Sequence, residues 1–356
     1  MKSKVFLARV DEGDPPELIR EKFALLVRES RALDFVKEDE RVALKLHFGE
    51  EANTGYVKPE YVRVAVDELL RKKTRPFLSD TNTLYRGRRM TAPEHQKLAA
   101  EHGFTQGACA AQVIIPDDTQ KENIREIEVN GKFIKAAKVA RLFADADGLV
   151  DIAHFKGHIM TGFGGALKNV GMGCASREGK LAQHSDISPF VIEQNCKGCS
   201  VCIEACPVDA ITLIREKASI DNARCIGCAT CIAVCPYMAI EVNWEAGGDK
   251  IQEKMVEYAS AILLPKKNKC AFFNFLIKIT KECDCLAKDD PRIAPDIGIL
   301  ASSDPVSIDK ASLDLVTRAC GKDVFLEAHP ARDGLKQLAY AAKLGLGSME
   351  YELVEV

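Results

Sequence analysis

NCKGCSVCIEACPVDAITL at residues 195–213 and RCIGCATCIAVCPYMAIEV at residues 224–242 are two copies of one pattern. Each copy has three cysteines spaced three residues apart, then a fourth cysteine followed by proline. A glycine lies inside the first Cys-x-x-Cys interval of both copies, Gly198 and Gly227. The intervals between cysteines are the same in the two copies, so the segment is an internal duplication.

This cysteine spacing predicts iron–sulfur clusters. Three cysteines in one short loop can bind three corners of an iron–sulfur cube, and in two-cluster ferredoxins the cysteine before proline binds the other cluster. We therefore predict two [4Fe–4S] clusters with exchanged ligands. The first is assigned to Cys196, Cys199, Cys202 and Cys235, and the second to Cys225, Cys228, Cys231 and Cys206. Structural zinc is the alternative, but zinc sites usually pair two separated Cys-x-x-Cys knuckles.

Composition narrows the class of protein. The 356 residues carry a formal net charge of -3, so no strong basic field points to nucleic acid as a partner. The apolar stretch Cys270–Ile279 is about half as long as a membrane span, and the N-terminus lacks the apolar run of a signal peptide. We expect a cytoplasmic protein without membrane contact, in which 14 cysteines are better explained by metal binding than by disulfides.

The rest of the chain alternates strand-like apolar runs with amphipathic helical patterns. This alternation predicts an α/β fold with a mostly parallel sheet. We expect one discontinuous α/β domain, residues 1–188 plus 246–356, with a small α+β ferredoxin unit inserted at residues 189–245. The predicted strands are Val5–Val10, Arg41–Leu46, Pro76–Asp80, Gln112–Ile115, Gly148–Ala153, Ala271–Phe275 and Ile297–Ala301.

Polar residues follow three of the predicted strands, as HFGE at 47–50, DTNT at 80–83 and HFKGH at 154–158. Ligands of open α/β sheets bind outside the carboxyl ends of strands, so we predict a site where these segments converge, facing the ferredoxin unit. Glycines before a short helix would open its N-terminus, so that backbone amides approach a small anion. A lysine would neutralise the anion, and a histidine would move protons near neutral pH. The proposed catalytic residues are His154, Lys156, His158, Lys168 and Asp80, and the proposed ligand-binding residues are Gly162, Gly164, Gly165 and Asn169.

Other interpretations of these motifs stay open. The glycine run matches neither common nucleotide-binding motif, His154 and His158 could bind a metal, and the glycines could simply pack against the ferredoxin unit. Cys283 and Cys285 form either a reactive or metal-binding pair or two buried thiols. Asp304 before Pro305 predicts a helix cap.

Several motifs occur together in one order: KLHFGE at 45–50, SDTNT at 79–83, FKGHIMTGFGGALKNVGMGCASREGK at 155–180, the cysteine duplication, and ECDC at 282–285. With them the sequence resembles the DUF362 family of iron–sulfur cluster-binding proteins over nearly its whole length. The resemblance implies a two-cluster ferredoxin insert and an α/β domain, and leaves the substrate open.

Three functions fit these observations. The leading hypothesis is an oxidoreductase whose clusters pass electrons between an external carrier or redox partner protein and a ligand held by the α/β domain. The alternative is a non-enzymatic electron carrier or redox sensor that docks on a partner enzyme. A non-redox enzyme with structural clusters is the third, although two clusters exceed what stability needs. No flavin or nicotinamide fingerprint is present in the sequence, so the electron acceptor cannot be named from it.

Overall fold

The computed structural model describes residues 2–85, 87–184, 189–206, 208–225, 230–242 and 250–356. The strands are β1 (Ser3–Arg9), β2 (Arg41–Lys45), β3 (Arg75–Ser79), β4 (Gln112–Val113), β5 (Ile124–Glu128), β6 (Ala136–Ala140), β7 (Gly148–His154), β8 (Lys156–His158), β9 (Gly162–Gly164), β10 (Pro189–Val191), β11 (Ile211–Ile214), β12 (Lys217–Ile220), β13 (Ile240–Val242), β14 (Cys270–Leu276), β15 (Gly298–Ser302) and β16 (Tyr351–Glu355). The helices are α1 (Pro16–Ser30), α2 (Pro59–Arg71), α3 (Ala92–Glu101), α4 (Gln106–Cys109), α5 (Arg141–Ala144), α6 (Ala166–Gly173), α7 (Arg177–Gln183), α8 (Val201–Glu204), α9 (Thr230–Val234), α10 (Ile251–Leu263), α11 (Pro305–Cys320), α12 (Val324–Ala328) and α13 (Leu335–Lys343).

Eight strands form the main sheet, in the order β16-β1-β15-β14-β7-β2-β3-β4. Five of the seven neighbouring pairs are parallel, and only the two pairs that involve β15 are antiparallel. The predicted mostly parallel α/β fold is therefore confirmed. Strands from both sides of the cysteine duplication lie in this one sheet, while the division into two domains stays a prediction.

The middle of the sheet is covered on both faces. Every residue of β7 and β14 is buried, as expected for parallel strands between two layers of helices. Successive side chains of β14 alternate between two separate apolar groups, with Phe272 in one and Phe273 in the other. Helices α1 and α2 contribute to the second group, and α6, α10 and α11 to the first.

Helix starts follow local sequence signals. Helices α1, α2 and α11 begin at proline, whose fixed φ suits the first helical turn. The Asp304 carboxylate accepts hydrogen bonds from the N–H groups of Val306 and Ser307, both at 2.9 Å, so the predicted cap of α11 is confirmed.

The cysteine duplication folds into short helices and two small ribbons. Strand β10 pairs antiparallel with β13, and β11 pairs antiparallel with β12. Pro189 lies opposite Val242, so the chain enters and leaves this unit at neighbouring positions. Its apolar core contains Cys196, Cys202 and Cys231 together with two residues from outside the unit, Leu84 and Leu181.

Three strand pairings were not predicted from the sequence. Strands β8 and β9 form an antiparallel ribbon. Strands β5 and β6 form a separate antiparallel ribbon, and β16 adds a parallel strand to the edge of the main sheet beside β1. In the described part of the chain, no helix has both the length and the apolar character needed to cross a membrane.

Candidate functional site

The carboxyl ends of four parallel strands meet at one edge of the sheet. Strands β3, β2, β7 and β14 are neighbours in this order, and each pair is parallel. The residues that end or follow them line one cavity of about 510 Å³, including His47, Asp80, His158 and Cys283. The fold thus brings together most of the polar segments that the sequence places at strand ends.

The cavity wall is strongly basic. Among the described residues that line it, basic side chains outnumber the single acidic one, Asp80, six to one. The basic residues are Lys45, Arg89, Lys156, Lys168, Lys180 and Arg332. Such a wall attracts an anion, because charges in a partly water-excluded cleft interact more strongly than they do in bulk water.

Asp80 anchors two of these cations. Its carboxylate lies 3.1 Å from Lys45 Nζ and 3.4 Å from an Arg89 guanidinium nitrogen. Burial raises the pKa of Asp80, but Lys45, Arg89 and their neighbours lower it more, to about 2. Asp80, predicted to be catalytic, therefore stays ionised at neutral pH and holds the basic side chains in place.

Asn169 is already engaged by protein groups. Its Oδ1 accepts a hydrogen bond from Lys45 Nζ at 2.7 Å, and its Nδ2 donates to Asp151 Oδ1 at 2.8 Å. Burial raises the pKa of Asp151 well above its usual value. Asn169 lines the cavity as predicted, but its amide mainly fixes the position of Lys45.

The histidines that line the cavity are uncharged at neutral pH. Burial, reinforced by Lys168 and Lys156, holds the pKa of His158 well below its usual value. Burial acts in the same direction on His47, and it lowers the pKa of His184 to about 3. These shifts contradict the expectation that His158 exchanges protons near neutral pH.

Lys180 is better suited to proton exchange. Burial lowers the pKa of its ammonium to about 7, against the opposing effect of Asp80 and Asp118. Its Nζ donates hydrogen bonds to Thr81 Oγ1 at 2.6 Å and to the carbonyl oxygens of Thr81 and Asn82. The sequence placed Lys180 in the polar run but gave it no catalytic role.

His154 lies behind the cavity wall, where its ring contacts the carboxylate of Asp284. Its Nδ1 is 3.0 Å from both carboxylate oxygens of Asp284, and its Nε2 is 3.2 Å from the Lys278 carbonyl oxygen. Lys156 Nζ is 3.4 Å from the same carboxylate. Burial lowers the pKa of Lys156, but Asp284 and the nearby thiols raise it by more than burial lowers it. The pKa is therefore above its usual value, and this lysine stays a cation. His154 is thus a positioning residue for Asp284 and is not a cavity residue as predicted.

The two cysteines of the ECDC segment face the cavity beside a histidine. Cys283 is buried, Cys285 is half-buried, and Lys168 Nζ lies 3.6 Å from Cys283 Sγ. A hydrogen bond from the Cys285 thiol, together with Lys168 and Lys156, holds the pKa of Cys283 well below its usual value despite burial. The possible ligand atoms of His158, Cys283 and Cys285 all lie within 4.8 Å of one another. The histidine that lies beside the two cysteines is therefore His158, and it is not grouped with His154 as a metal-binding pair.

The glycines serve packing more than anion binding. Asp309 accepts hydrogen bonds from the N–H groups of Ala166 and Leu167, at 2.7 and 2.9 Å, so a protein carboxylate occupies the N-terminus of α6. A Cβ at Gly165 would lie 2.2 Å from the Asp309 carboxylate, and one at Gly164 would lie 2.9 Å from Lys168 Cδ. The expected anion site at this helix end is wrong. The glycines pack closely, but against Asp309 and Lys168 of the α/β part of the chain and not against the ferredoxin unit as the alternative supposed.

Gly162, a predicted ligand-binding residue, lies outside the cavity lining. Its φ is +76°, and a Cβ there would meet the carbonyl oxygen of Arg332 at 2.5 Å. Gly164 and Gly165 do line the cavity. Their backbones form part of its wall. That these backbones contact a ligand stays a prediction.

Four cysteines of the duplication converge around a separate small cavity. Cys196, Cys199, Cys202 and Cys235 line it, and these are the four assigned above to one cluster. Backbone N–H groups donate to two of their sulfurs, from Ala218 to Cys196 at 3.4 Å and from Ala239 to Cys235 at 3.2 Å.

This donor set fits a cubane cluster, since four thiolates with N–H···S bonds are its usual environment. In the second set, the backbone N–H of Ala210 donates to Cys206 Sγ at 3.3 Å. Cys228 lies outside the described residues. The presence of clusters stays a prediction.

Leu84 connects the two regions. It lines the basic cavity, and it also packs in the apolar group that contains Cys196, Cys202 and Cys231. Leu181, one residue after Lys180 in α7, packs in the same apolar group. The cysteine unit therefore lies directly against elements that form the cavity.

Comparison with solved structures finds distant likenesses, including the following two. The lactate racemase apoprotein from Thermoanaerobacterium thermosaccharolyticum has a TM-score of 0.38 and 16% identity, with 77% of this chain and 51% of that chain covered. A crystal structure of a protein from Thermotoga maritima has a TM-score of 0.40 and 16% identity, with coverages of 86% and 58%. The chain thus spans between half and three-fifths of the length of these structures. No curated protein matches the chain significantly.

One family model does match, over residues 42–314, and it is described as a domain of unknown function, DUF362. The matched region runs from β2 to α11 and so includes the cavity and the cysteine duplication. This is most of the chain, and it contains the motifs that carry the resemblance. The chain therefore belongs to the DUF362 family.

Proposed function

We propose that this protein is an iron–sulfur oxidoreductase. In this proposal two [4Fe–4S] clusters on the cysteine duplication pass electrons between an external carrier and a small anionic substrate in the basic cavity. The observation that carries it is the position of Leu84, which belongs both to the cavity wall and to the apolar core around the cluster cysteines.

The cavity supports an anionic substrate of modest size. Its volume of about 510 Å³ lies within the usual range for small-molecule sites. Lys156 stays cationic, and Lys168 lies beside the Cys283 thiol in the same wall. These two lysines would hold a carboxylate or phosphate group, and Lys180, with a pKa of about 7, would exchange a proton with the substrate.

The first cysteine set supports contact with an external carrier. Cys199 is exposed, although its partners Cys196 and Cys202 are buried. Leu213 and Tyr237 line the same small cavity and are 42% and 46% exposed. A cluster held there would lie close to the surface, where a partner protein could approach it. When bound, each such cluster supplies one electron at a time.

The test begins with the substrate. We expect protein purified without oxygen to release a small anion on denaturation, detectable by mass spectrometry. Lys168→Met should reduce the amount recovered about tenfold, because loss of a desolvated charge contact costs about 1.5–3 kcal/mol. Iron and sulfide contents should be unchanged in this variant.

Lys73→Met is the matched control. The Lys73 side chain is 71% exposed and precedes β3, at the opposite end of the strand from Asp80. This variant should retain the anion. After dithionite reduction, the recovered anion should reoxidise the wild type faster than Lys168→Met. Equal anion content and equal reoxidation in both variants would instead support an electron carrier or redox sensor that does not use the cavity.

A further inference from the structure

The cavity contains a donor set that the proposed electron relay does not use. His158, Cys283 and Cys285 offer one nitrogen and two sulfur atoms, all within 4.8 Å of one another. Two thiolates and one imidazole, with a fourth position open, is a donor set of catalytic zinc sites. Tetrahedral ligands at metal–sulfur distances of about 2.3 Å lie about 3.8 Å apart, so small side-chain rotations would close the site.

We propose that His158, Cys283 and Cys285 bind one divalent thiophilic metal ion, of the zinc type, whose fourth position faces the basic cavity. The inference deepens the proposed function by placing a metal in the same cavity. It does not depend on the clusters, because none of the three residues belongs to the cysteine duplication.

The fold holds the two cysteines toward the cavity through the residue between them. The Asp284 carboxylate is buried and is held by His154 Nδ1 at 3.0 Å and Lys156 Nζ at 3.4 Å. The Asp284 carbonyl oxygen accepts a hydrogen bond from the Glu50 N–H at 3.0 Å. Cys283 and Cys285 line the cavity on either side of this anchor. Their direction is therefore fixed before any metal binds.

Gly157 brings His158 to the cysteines. The Gly157 N–H donates to the Thr280 carbonyl oxygen at 2.9 Å, which holds β8 against the segment leading to Cys283. A Cβ at Gly157 would lie 2.1 Å from the Lys281 carbonyl oxygen, so no other residue permits this approach without a backbone shift. The close contact explains why a glycine precedes the histidine.

Two existing contacts oppose metal binding. His158 Nδ1 accepts a hydrogen bond from the Met160 N–H at 3.1 Å, and coordination through either ring nitrogen would break it. Coordination would replace this single hydrogen bond by a set of metal–ligand bonds, which together are far stronger. Lys168 Nζ, 3.6 Å from Cys283 Sγ, competes for the same thiolate.

The charges around the metal indicate which kind of fourth ligand the site would bind. Two thiolates neutralise a divalent metal, and Asp284 offsets Lys156. Lys168 then remains as an excess positive charge beside the metal. The complete site is therefore short of one negative charge, which a carboxylate or phosphate oxygen at the fourth position would provide.

The experiment uses full-length protein, purified without oxygen, incubated with Zn²⁺ and desalted. Zinc, iron and sulfide are measured on the same sample, so that loss of this site and loss of the clusters are separate results. We expect about one zinc per chain. Its X-ray absorption fine structure should show two sulfur and at least one nitrogen or oxygen neighbour. Cys283→Ser and His158→Gln should each lower the retained zinc at least tenfold, with iron and sulfide unchanged.

Cys320→Ser is the control, since Cys320 is a half-buried thiol at the end of α11. It should bind zinc like the wild type. Three results would overturn the proposal: no more zinc in the wild type than in Cys283→Ser, zinc with four sulfur neighbours, or a Cys283–Cys285 disulfide in the anaerobic protein. If a variant fails to fold, the neighbours of the wild-type zinc decide between these outcomes.

Discussion

Single residues of the cavity differ in how far the sequence reveals them. Lys45 lies in the buried strand β2 within the run RVALK, and a charge at such a position requires partners, so its role was accessible from the pattern. Arg89 gives no such signal, because the run RGRR at 86–89 reads as an exposed charged loop. Only the folded chain places Arg89 against Asp80, 3.4 Å away. A local sequence pattern does not show which residue of another loop will pair with a charged side chain.

Lys180 carries a pH-dependence that can be measured without a substrate. Its pKa is about 7 in the folded protein and 10.5 in its ordinary state, because burial disfavours the charge. Between these values the unfolded chain binds more protons, so stability rises with pH through this window. The cost of the buried charge is fully present below pH 7 and is relieved toward pH 10.5.

Lys180→Met removes this titration and should remove the pH-dependence that comes with it. We expect the free energy of unfolding of the wild type, relative to the variant, to rise between pH 7 and pH 10 by at most about 1.4 kcal/mol per pH unit. Thermal unfolding midpoints of both proteins at one heating rate check this. If the midpoints of the two proteins change equally with pH over this range, Lys180 has an ordinary pKa.

Helix α6 shows what an element's own sequence can hide. The glycines before it predict an N-terminus open to an anion, but Asp309, more than 130 residues later, binds its first N–H groups. The Asp309 carboxylate also accepts a hydrogen bond from Asn274 Nδ2 at 2.8 Å. By contrast, the cap of α11 was predicted correctly, because its partner Asp304 is adjacent in sequence.

Asp309→Ala should therefore destabilise the protein strongly. Three buried donors lose their acceptor, and each unsatisfied group costs about 1–3 kcal/mol, so the expected loss is about 3 kcal/mol or more. Lys310→Ala on the same helix removes only a partly exposed ion pair with Asp314 and should cost under about 1 kcal/mol. Denaturant midpoints compare the two variants. An equal effect of both substitutions would argue against a structural role for Asp309.

At the scale of the whole molecule, the sheet was predicted in kind but not in order. Alternating patterns indicate parallel strands, since βαβ units require them, but they do not show that β15 runs antiparallel between β1 and β14. Strand β16 was missed because YELVE is half exposed and lies at the edge of the sheet. The cysteine duplication was more readable, because its spacing repeats within one short segment and the predicted grouping of Cys196, Cys199, Cys202 and Cys235 matches the cavity that they line.

The predicted division into a discontinuous α/β domain and an inserted unit can be tested by deletion. Pro189 and Val242 are opposite each other in a two-stranded ribbon, so a short linker can replace the segment between them. We expect a chain lacking residues 189–242 to fold and stay soluble, since strands from both remaining segments form one sheet. Circular dichroism and size-exclusion chromatography check it. Aggregation of this chain, or independent folding of residues 250–356, would contradict the two-domain division.

The proposed function requires two [4Fe–4S] clusters on the cysteine duplication, from which electrons would reach the basic cavity. The test uses one preparation made without oxygen. Its iron content, its acid-labile sulfide content and the EPR spectrum of the reduced protein are measured together. We expect about eight iron and about eight sulfide per chain, with a spectrum of two interacting paramagnetic centres. Zinc in place of iron, with no acid-labile sulfide, would contradict it.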